Sequence, residues 1–178
     1  MLEIVGIIVL VIVAAIAAVL IIAATRPDTF RIMRSATIQA PPERIFPLIN
    51  DFHNWTRWSP WEKLDPALQR SYSGAASGKG AAYAWQGNNK VGQGRMEIVD
   101  AAPPSRVTIK LDFIKPFEAH NMVDFTLQPQ GGATGVSWDM HGPLPLMARV
   151  MHMFMNMDRM VGKDFEKGLA SLKAEAEK

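Results

Sequence analysis

One carboxylate near the C-terminus occupies a position where an acid is unexpected. From Leu144 to Ala176 the residue spacing predicts one long amphipathic helix with a polar stripe. At about 100° per residue, Asp158 lies roughly 180° from Arg149 of that stripe, among apolar side chains. A carboxylate turned towards a core is costly unless it is paired or hydrated. Two interpretations stay open: a satisfied buried carboxylate, bonded for example to Arg34, a Trp indole or a Tyr hydroxyl, or a polar contact at the base of a ligand cavity.

Other residues share this combination of apolar surroundings and one polar group. Asn121 falls on the apolar face of a predicted strand, and Tyr83 and Trp85 share one face of another. Many of the 11 methionines cluster in the predicted C-terminal helix, either as core filler or as an adaptable apolar surface. If helix and sheet leave a gap, the candidate cavity-lining residues are Tyr83, Trp85, Asn121, Met151, Phe154, Met155 and Asp158.

Three tryptophans follow one another in a short segment before the central strands. Trp55, Trp58 and Trp61 have apolar ring bodies whose N–H groups still need partners. They are candidates for a cavity mouth. The alternative is a structural plug between short helices and the sheet.

Several kinds of chemistry have no support in the sequence. The four histidines have no metal-ligand spacing, and the chain has no cysteine, so we expect no metal or cofactor. The region Gly74–Gly80 lacks the spacing and the Ser or Thr of a phosphate-binding loop. A net charge of +2 without a basic block argues against a nucleic-acid partner. The only candidate catalytic residue is Asp158, with a pKa raised by burial. The sequence leaves the oligomeric state open.

The elements that must position these residues are mostly strands. Ser105–Phe113 and Phe117–Leu127 alternate apolar and polar side chains, and turn signals separate them from their neighbours. A short helix is predicted over Glu43–Asn50, started by proline. Short consecutive strands followed by one long helix indicate an α+β domain with an antiparallel meander.

The N-terminus has a different character. Ile4–Ala24 contains no charged or polar side chain and makes a helix about 30 Å long, enough to cross a bilayer core. A retained anchor is favoured over a cleaved signal peptide, because no basic residue precedes this long apolar run. Arg26, Arg31 and Arg34 follow it, which favours a cytoplasmic C-terminal domain. The predicted organisation is an anchor over 1–25, a linker over 26–29 and a domain over 30–178.

The soluble part resembles a known superfamily in four segments, which together span most of it. The chain is similar there to the polyketide cyclase/dehydrase branch of the START-like (SRPBCC) superfamily. The resemblance implies a helix-grip fold, in which a curved antiparallel sheet wraps around a long C-terminal helix with a hydrophobic cavity between them. It implies ligands such as lipids, sterols, polyketides or hormones, and catalysis in a minority of members. The segments are Ile38–Phe46, Asn54–Trp61, Val91–Met96 and Asp158–Leu169.

Three functions are compatible with these features. The first is membrane-anchored binding of a hydrophobic small molecule, lipid-like or polyketide-like, in an internal cavity. The second is a cyclase or dehydratase that uses a cavity carboxylate, for which Asp158 is the candidate. The third is a regulatory or scaffolding domain without a ligand, whose interior would be tightly packed.

Overall fold

Alternating side chains in the middle of the chain build an antiparallel sheet. The computed structural model describes residues 2–178 and contains a seven-stranded sheet in the order β1-β7-β6-β5-β4-β3-β2. Strands β2 to β6 each pair antiparallel with the next strand in sequence. The strands are β1 (Thr29–Ile38), β2 (Gln69–Gly74), β3 (Ala81–Gln86), β4 (Gln93–Ala102), β5 (Arg106–Lys115), β6 (Ala119–Gln130) and β7 (Ala133–Pro143).

The predicted period of two decides which face of each strand is buried. In β5, Val107 and Ile109 are fully buried while Lys110 between Ile109 and Leu111 is exposed. In β6, burial follows the predicted alternation from Asn121 onwards. Phe117, which was predicted to share that face, lies before β6 and is exposed.

Within residues 2–178, five α-helices accompany the sheet. They are α1 (Leu2–Ala24), α2 (Pro42–Asn50), α3 (Trp55–Trp58), α4 (Leu146–Phe154) and α5 (Met157–Ala176), with a 3₁₀ turn over Phe52–Asn54. Proline at the first position starts α2 without losing a hydrogen bond, as predicted. The prediction of one continuous C-terminal helix is wrong, because Met155 adopts an extended conformation (φ −126°, ψ 125°) that separates α4 from α5.

The chain divides into two structural units at this break. One unit comprises the chain up to Phe30 together with Pro143–Met157, and therefore contains α1 and α4. The other comprises Arg31–Gly142 with Asp158–Lys178, and contains most of the sheet and nearly all of α5.

Helix α5 packs on the inner face of the sheet within the second unit. Phe165, Leu169 and Leu172 are fully buried at intervals of four and three residues. The Phe165 ring stacks on Trp138 of β7 with centroids 4.2 Å apart and planes 8° from parallel. Gly168 allows this close approach, since a Cβ there would lie 2.7 Å from the Trp138 ring. Burial of each of these large side chains stabilises the fold by about 1.5–3 kcal/mol.

Helix α1 is long and apolar enough to span a membrane. Its span of 22 residues, Glu3–Ala24, keeps its apolar side chains exposed over nearly the whole length. An N-terminal signal sequence would meet the same criteria.

Candidate functional site

The strand register brings the predicted sheet residues together on the inner face. Tyr83 lies opposite Met96, Met96 opposite Leu111, and Leu111 opposite Asn121, which makes one row across four strands. All four side chains are buried. The row is apolar except for the Tyr83 hydroxyl at one end and the Asn121 amide at the other. We call it the inner row.

A second row borders the first and is less covered. Trp85 lies opposite Gly94, Gly94 opposite Phe113, and Phe113 opposite Ala119. The indole of Trp85 crosses the space that a side chain at Gly94 would occupy. Its Nε1 donates to the carbonyl of Val91 at 3.0 Å, and its ring meets Phe113 edge to face. Trp85 therefore contributes a fixed, half-buried aromatic surface beside the inner row.

Asn121 has the most unusual environment of the predicted lining residues. The residue is 6% exposed, and its Oδ1 is buried without a hydrogen-bond partner among the described residues. The amide lies over Gly142 of β7, where any side chain would collide with Oδ1. An unpaired buried acceptor costs about 1–3 kcal/mol. Such a group in an apolar face is what a site needs to fix the orientation of an apolar ligand with one polar group.

A polar cluster closes the other end of the inner row. The Tyr83 hydroxyl donates to Glu62 Oε1 at 2.7 Å, and Arg70 Nε donates to Glu62 Oε2 at 2.6 Å. The Glu62 side chain is only 6% exposed. Burial raises the pKa of Tyr83, and the hydrogen bond to Glu62 raises it further, so the hydroxyl keeps its proton at neutral pH. The sequence did not indicate Glu62, because it lies in an irregular segment without periodicity.

Asp158 does not occupy the position predicted from the helix phase. Because α5 starts anew at Met157, Asp158 lies in its first turn, with its side chain 60% exposed. Arg34 donates to both carboxylate oxygens, from Nη1 at 3.0 Å and Nη2 at 2.9 Å. These hydrogen bonds lower the pKa of Asp158. The prediction of a buried acid with a raised pKa is wrong. Of the satisfied buried carboxylate, the pairing with Arg34 is present but the burial is not.

Arg34 depends on a glycine in α5. Its guanidinium also donates to Glu166 Oε1 at 2.9 Å, and it fills the space where a Cβ at Gly162 would lie.

Gly162→Ala is expected to stabilise the fold by about 1 kcal/mol in an Arg34→Met background, the usual gain in helix propensity. In the wild-type background we expect no gain, because the guanidinium must leave its carboxylates. Urea unfolding of the wild type, the two single variants and the double variant measures this coupling, and an equal gain in both backgrounds would contradict it.

The three candidates from the methionine-rich segment lie in the other structural unit. Met151 and Phe154 belong to α4, and Met155 ends it. They are 40%, 75% and 39% exposed, respectively. Their role as lining residues stays a prediction.

Trp55 and Trp58 form a plug instead of a cavity mouth, while the mouth position of Trp61 stays a prediction. Trp55 and Trp58 are 4% and 1% exposed, and their Nε1 atoms donate to the carbonyls of Ile49 and Leu48 at 2.9 and 2.8 Å. Both rings meet Trp138 edge to face. Burial contradicts a position at a mouth for these two.

Trp61 is half-buried and lies against the same core. Its ring meets Trp138 at 5.7 Å and Phe165 at 6.2 Å, both edge to face.

Over residues 2–178, no group of three or more His, Asp or Glu side chains is arranged to hold a metal ion.

Comparisons with solved structures agree on the fold. Protein CV1439 from Chromobacterium violaceum is 17% identical with a TM-score of 0.58, and the match covers 86% of this chain and 99% of that one. A protein from Rhizobium leguminosarum is 13% identical with a TM-score of 0.61, covering 84% and 95%. DynU16, from the dynemicin biosynthetic locus, is 16% identical with a TM-score of 0.55, covering 84% of this chain and 47% of that one.

At these identities the similarity shows a shared fold and no shared activity. A comparison with curated proteins gives no match. The model of one family, described as polyketide cyclase / dehydrase and lipid transport, matches residues 29–177. That match covers nearly the whole sequence after α1, so the chain belongs to the polyketide cyclase/dehydrase and lipid transport family and has the helix-grip fold that its sequence segments predicted.

Proposed function

We propose that the chain is a membrane-anchored protein that binds a hydrophobic small molecule against the inner row. The observation that carries this proposal is the buried, unpartnered Oδ1 of Asn121 in an otherwise apolar face. An acceptor without a partner requires a donor, so the ligand has one hydroxyl or amine group on an apolar body.

The surroundings of Asn121 support an apolar ligand. Met96 and Leu111 continue the inner row, and Trp85 and Phe113 supply aromatic surface beside it. Small-molecule sites combine mainly apolar and aromatic lining with a few polar groups in this way. The family description includes lipid transport, which agrees with a ligand of this kind.

The anchor is the second part of the proposal. The exposed apolar side chains of α1 would be costly in water and favourable in a bilayer. The arginines after the helix favour a cytoplasmic position for the sheet domain.

A cyclase or dehydratase activity has less support. Its candidate acid, Asp158, is exposed and held ionised by Arg34. The buried carboxylate of Glu62 already accepts from Tyr83 and Arg70. Neither group is a free proton donor, which favours binding over catalysis.

Quenching of tryptophan fluorescence tests the binding site. The probe is a dibrominated long-chain alcohol added to the full chain in phospholipid vesicles, and its control is the methyl ether of the same chain. We expect the alcohol to quench Trp85 with an affinity roughly 2- to 10-fold above that of the ether, since one neutral hydrogen bond contributes about 0.5–1.5 kcal/mol.

The variant Trp85→Phe tests whether the quenched fluorescence comes from Trp85. It is expected to lose the saturable part of the quenching, because Trp85 borders the inner row directly. Equal quenching by alcohol and ether, or unchanged saturable quenching in Trp85→Phe, would contradict the proposed site. Such a result would favour a domain that uses the fold without a ligand.

A further inference from the structure

Helix α4 exposes an apolar stripe. Met147, Met151 and Phe154 are 69%, 40% and 75% exposed and follow one another at intervals of four and three residues. They therefore lie on one side of the helix. Arg149 and His152, its only ionisable residues, are on the half-buried side. We call these three residues the α4 stripe.

Hydrogen bonds fix α4 to the C-terminal end of α1 within the same structural unit. Arg149 Nη1 donates to the carbonyls of Ala24 and Arg26 at 3.3 and 3.2 Å. Ala24 is the last residue of α1, where backbone acceptors lack helical partners, and Arg26 follows in the segment after it. The backbone N–H of Leu144 donates to the carbonyl of Asp28 at 2.5 Å, which fixes the segment before α4 as well.

This attachment determines what is close to the stripe when α1 is in a membrane. The apolar span ends at Ala24, so the carbonyls that Arg149 caps lie at the boundary between hydrocarbon and headgroups. The last turns of α1 expose Ile21 and Ile22, which makes their apolar surface part of the same unit as the stripe. Helices with one apolar face lie at this depth in bilayers.

We propose that α4 is an interfacial helix whose stripe inserts into the bilayer surface beside the exit of α1. The proposal rests on the anchor role of α1 and adds a second membrane contact to it. Met147, Met151 and Phe154 lie among the acyl chains near the headgroups, and Arg149 holds the helix in place from the other side. The lipid bilayer is therefore the partner that covers the α4 stripe.

Spin labels on single cysteines test this inference in the full chain. The chain has no cysteine, so Met151→Cys and Phe154→Cys each give one label site. Ser171→Cys on the exposed side of α5 is the aqueous control, and Ile12→Cys in α1 is the control for the span. In phosphatidylcholine vesicles we expect labels at 151 and 154 to be several-fold more accessible to oxygen than to a water-soluble nickel chelate, relative to the label at 171.

The four labels separate the possible failures. If the label at 12 is also accessible to the chelate and the protein does not float with the vesicles, the anchor itself is wrong. If the label at 12 lies in hydrocarbon while those at 151 and 154 are in water, only the interfacial helix is overturned. Spin–spin broadening at 151 that disappears on dilution with unlabelled chain would identify a second copy as the occupant, which also overturns it.

Discussion

Asn121→Leu is expected to raise the free energy of unfolding by roughly 1–3 kcal/mol, because it removes a buried acceptor that has no partner. Leucine has the same number of side-chain heavy atoms and the same branch point, is larger by its two methyl groups, and suits the apolar inner row. The same variant is expected to bind the brominated alcohol no better than its methyl ether, since the acceptor for the hydroxyl is gone. A gain in stability with a loss of selectivity is typical of a residue kept for binding.

A buried polar residue with a partner provides the matched control. The Thr134 hydroxyl is fully buried and donates to the carbonyl of Ala40 at 2.7 Å. Thr134→Val should therefore destabilise the fold by about 1–3 kcal/mol and leave the preference for the alcohol intact. If Asn121→Leu behaves like Thr134→Val in urea unfolding, the amide has a structural partner and the proposed ligand contact is wrong.

Trp138→Ala is expected to have the largest effect on stability, a loss of about 3–5 kcal/mol. The ring is 2% exposed and lies between Phe165 of α5 and Phe125 of β6, with centroids 4.2 and 4.8 Å away. Its removal leaves a cavity where α5, the tryptophan plug and the sheet meet. Thermal and urea unfolding of the full chain in nanodiscs measure the loss.

Two further variants separate ring volume from polarity. The Trp138 Nε1 is buried without a hydrogen-bond partner among the described residues, so Trp138→Phe removes an unpaired donor together with part of the ring. Trp138→Phe should lower the free energy of unfolding much less than Trp138→Ala does. Trp61→Ala should also lower the free energy of unfolding less than Trp138→Ala, because Trp61 is only half-buried. Equal losses in all three variants would show that Trp138 is not the centre of this core.

The sequence was most informative where burial imposes a strict period. The alternation in β5 and β6 predicted the buried faces, and it also placed Asn121 on the apolar side of its strand. Arg34 followed the same rule in β1, where it points to the inner face with Ile32. A polar residue at an apolar position of a regular strand is visible in the sequence because the backbone of the strand gives it no alternative face.

The C-terminal region shows why the rest was not predictable. Helical periodicity continues through Met155, so no sequence pattern indicates that this residue leaves the helix. The break shifts the phase of every later residue, which moved Asp158 from the predicted interior to an exposed first turn. Glu62 reaches the inner row from an irregular segment, and only the folded chain brings it to Tyr83.

Nuclear Overhauser effects between methionine methyl groups and a bound ligand test the inner row most directly. The full chain, labelled at its methionine methyls, is studied in nanodiscs of deuterated lipid with the long-chain alcohol added. The buried Met96 should show contacts to the methylene groups next to the hydroxyl, and Met33, which is 50% exposed on β1, should show none. Contacts absent from Met96, or equally strong at Met33, would contradict a ligand beside Asn121.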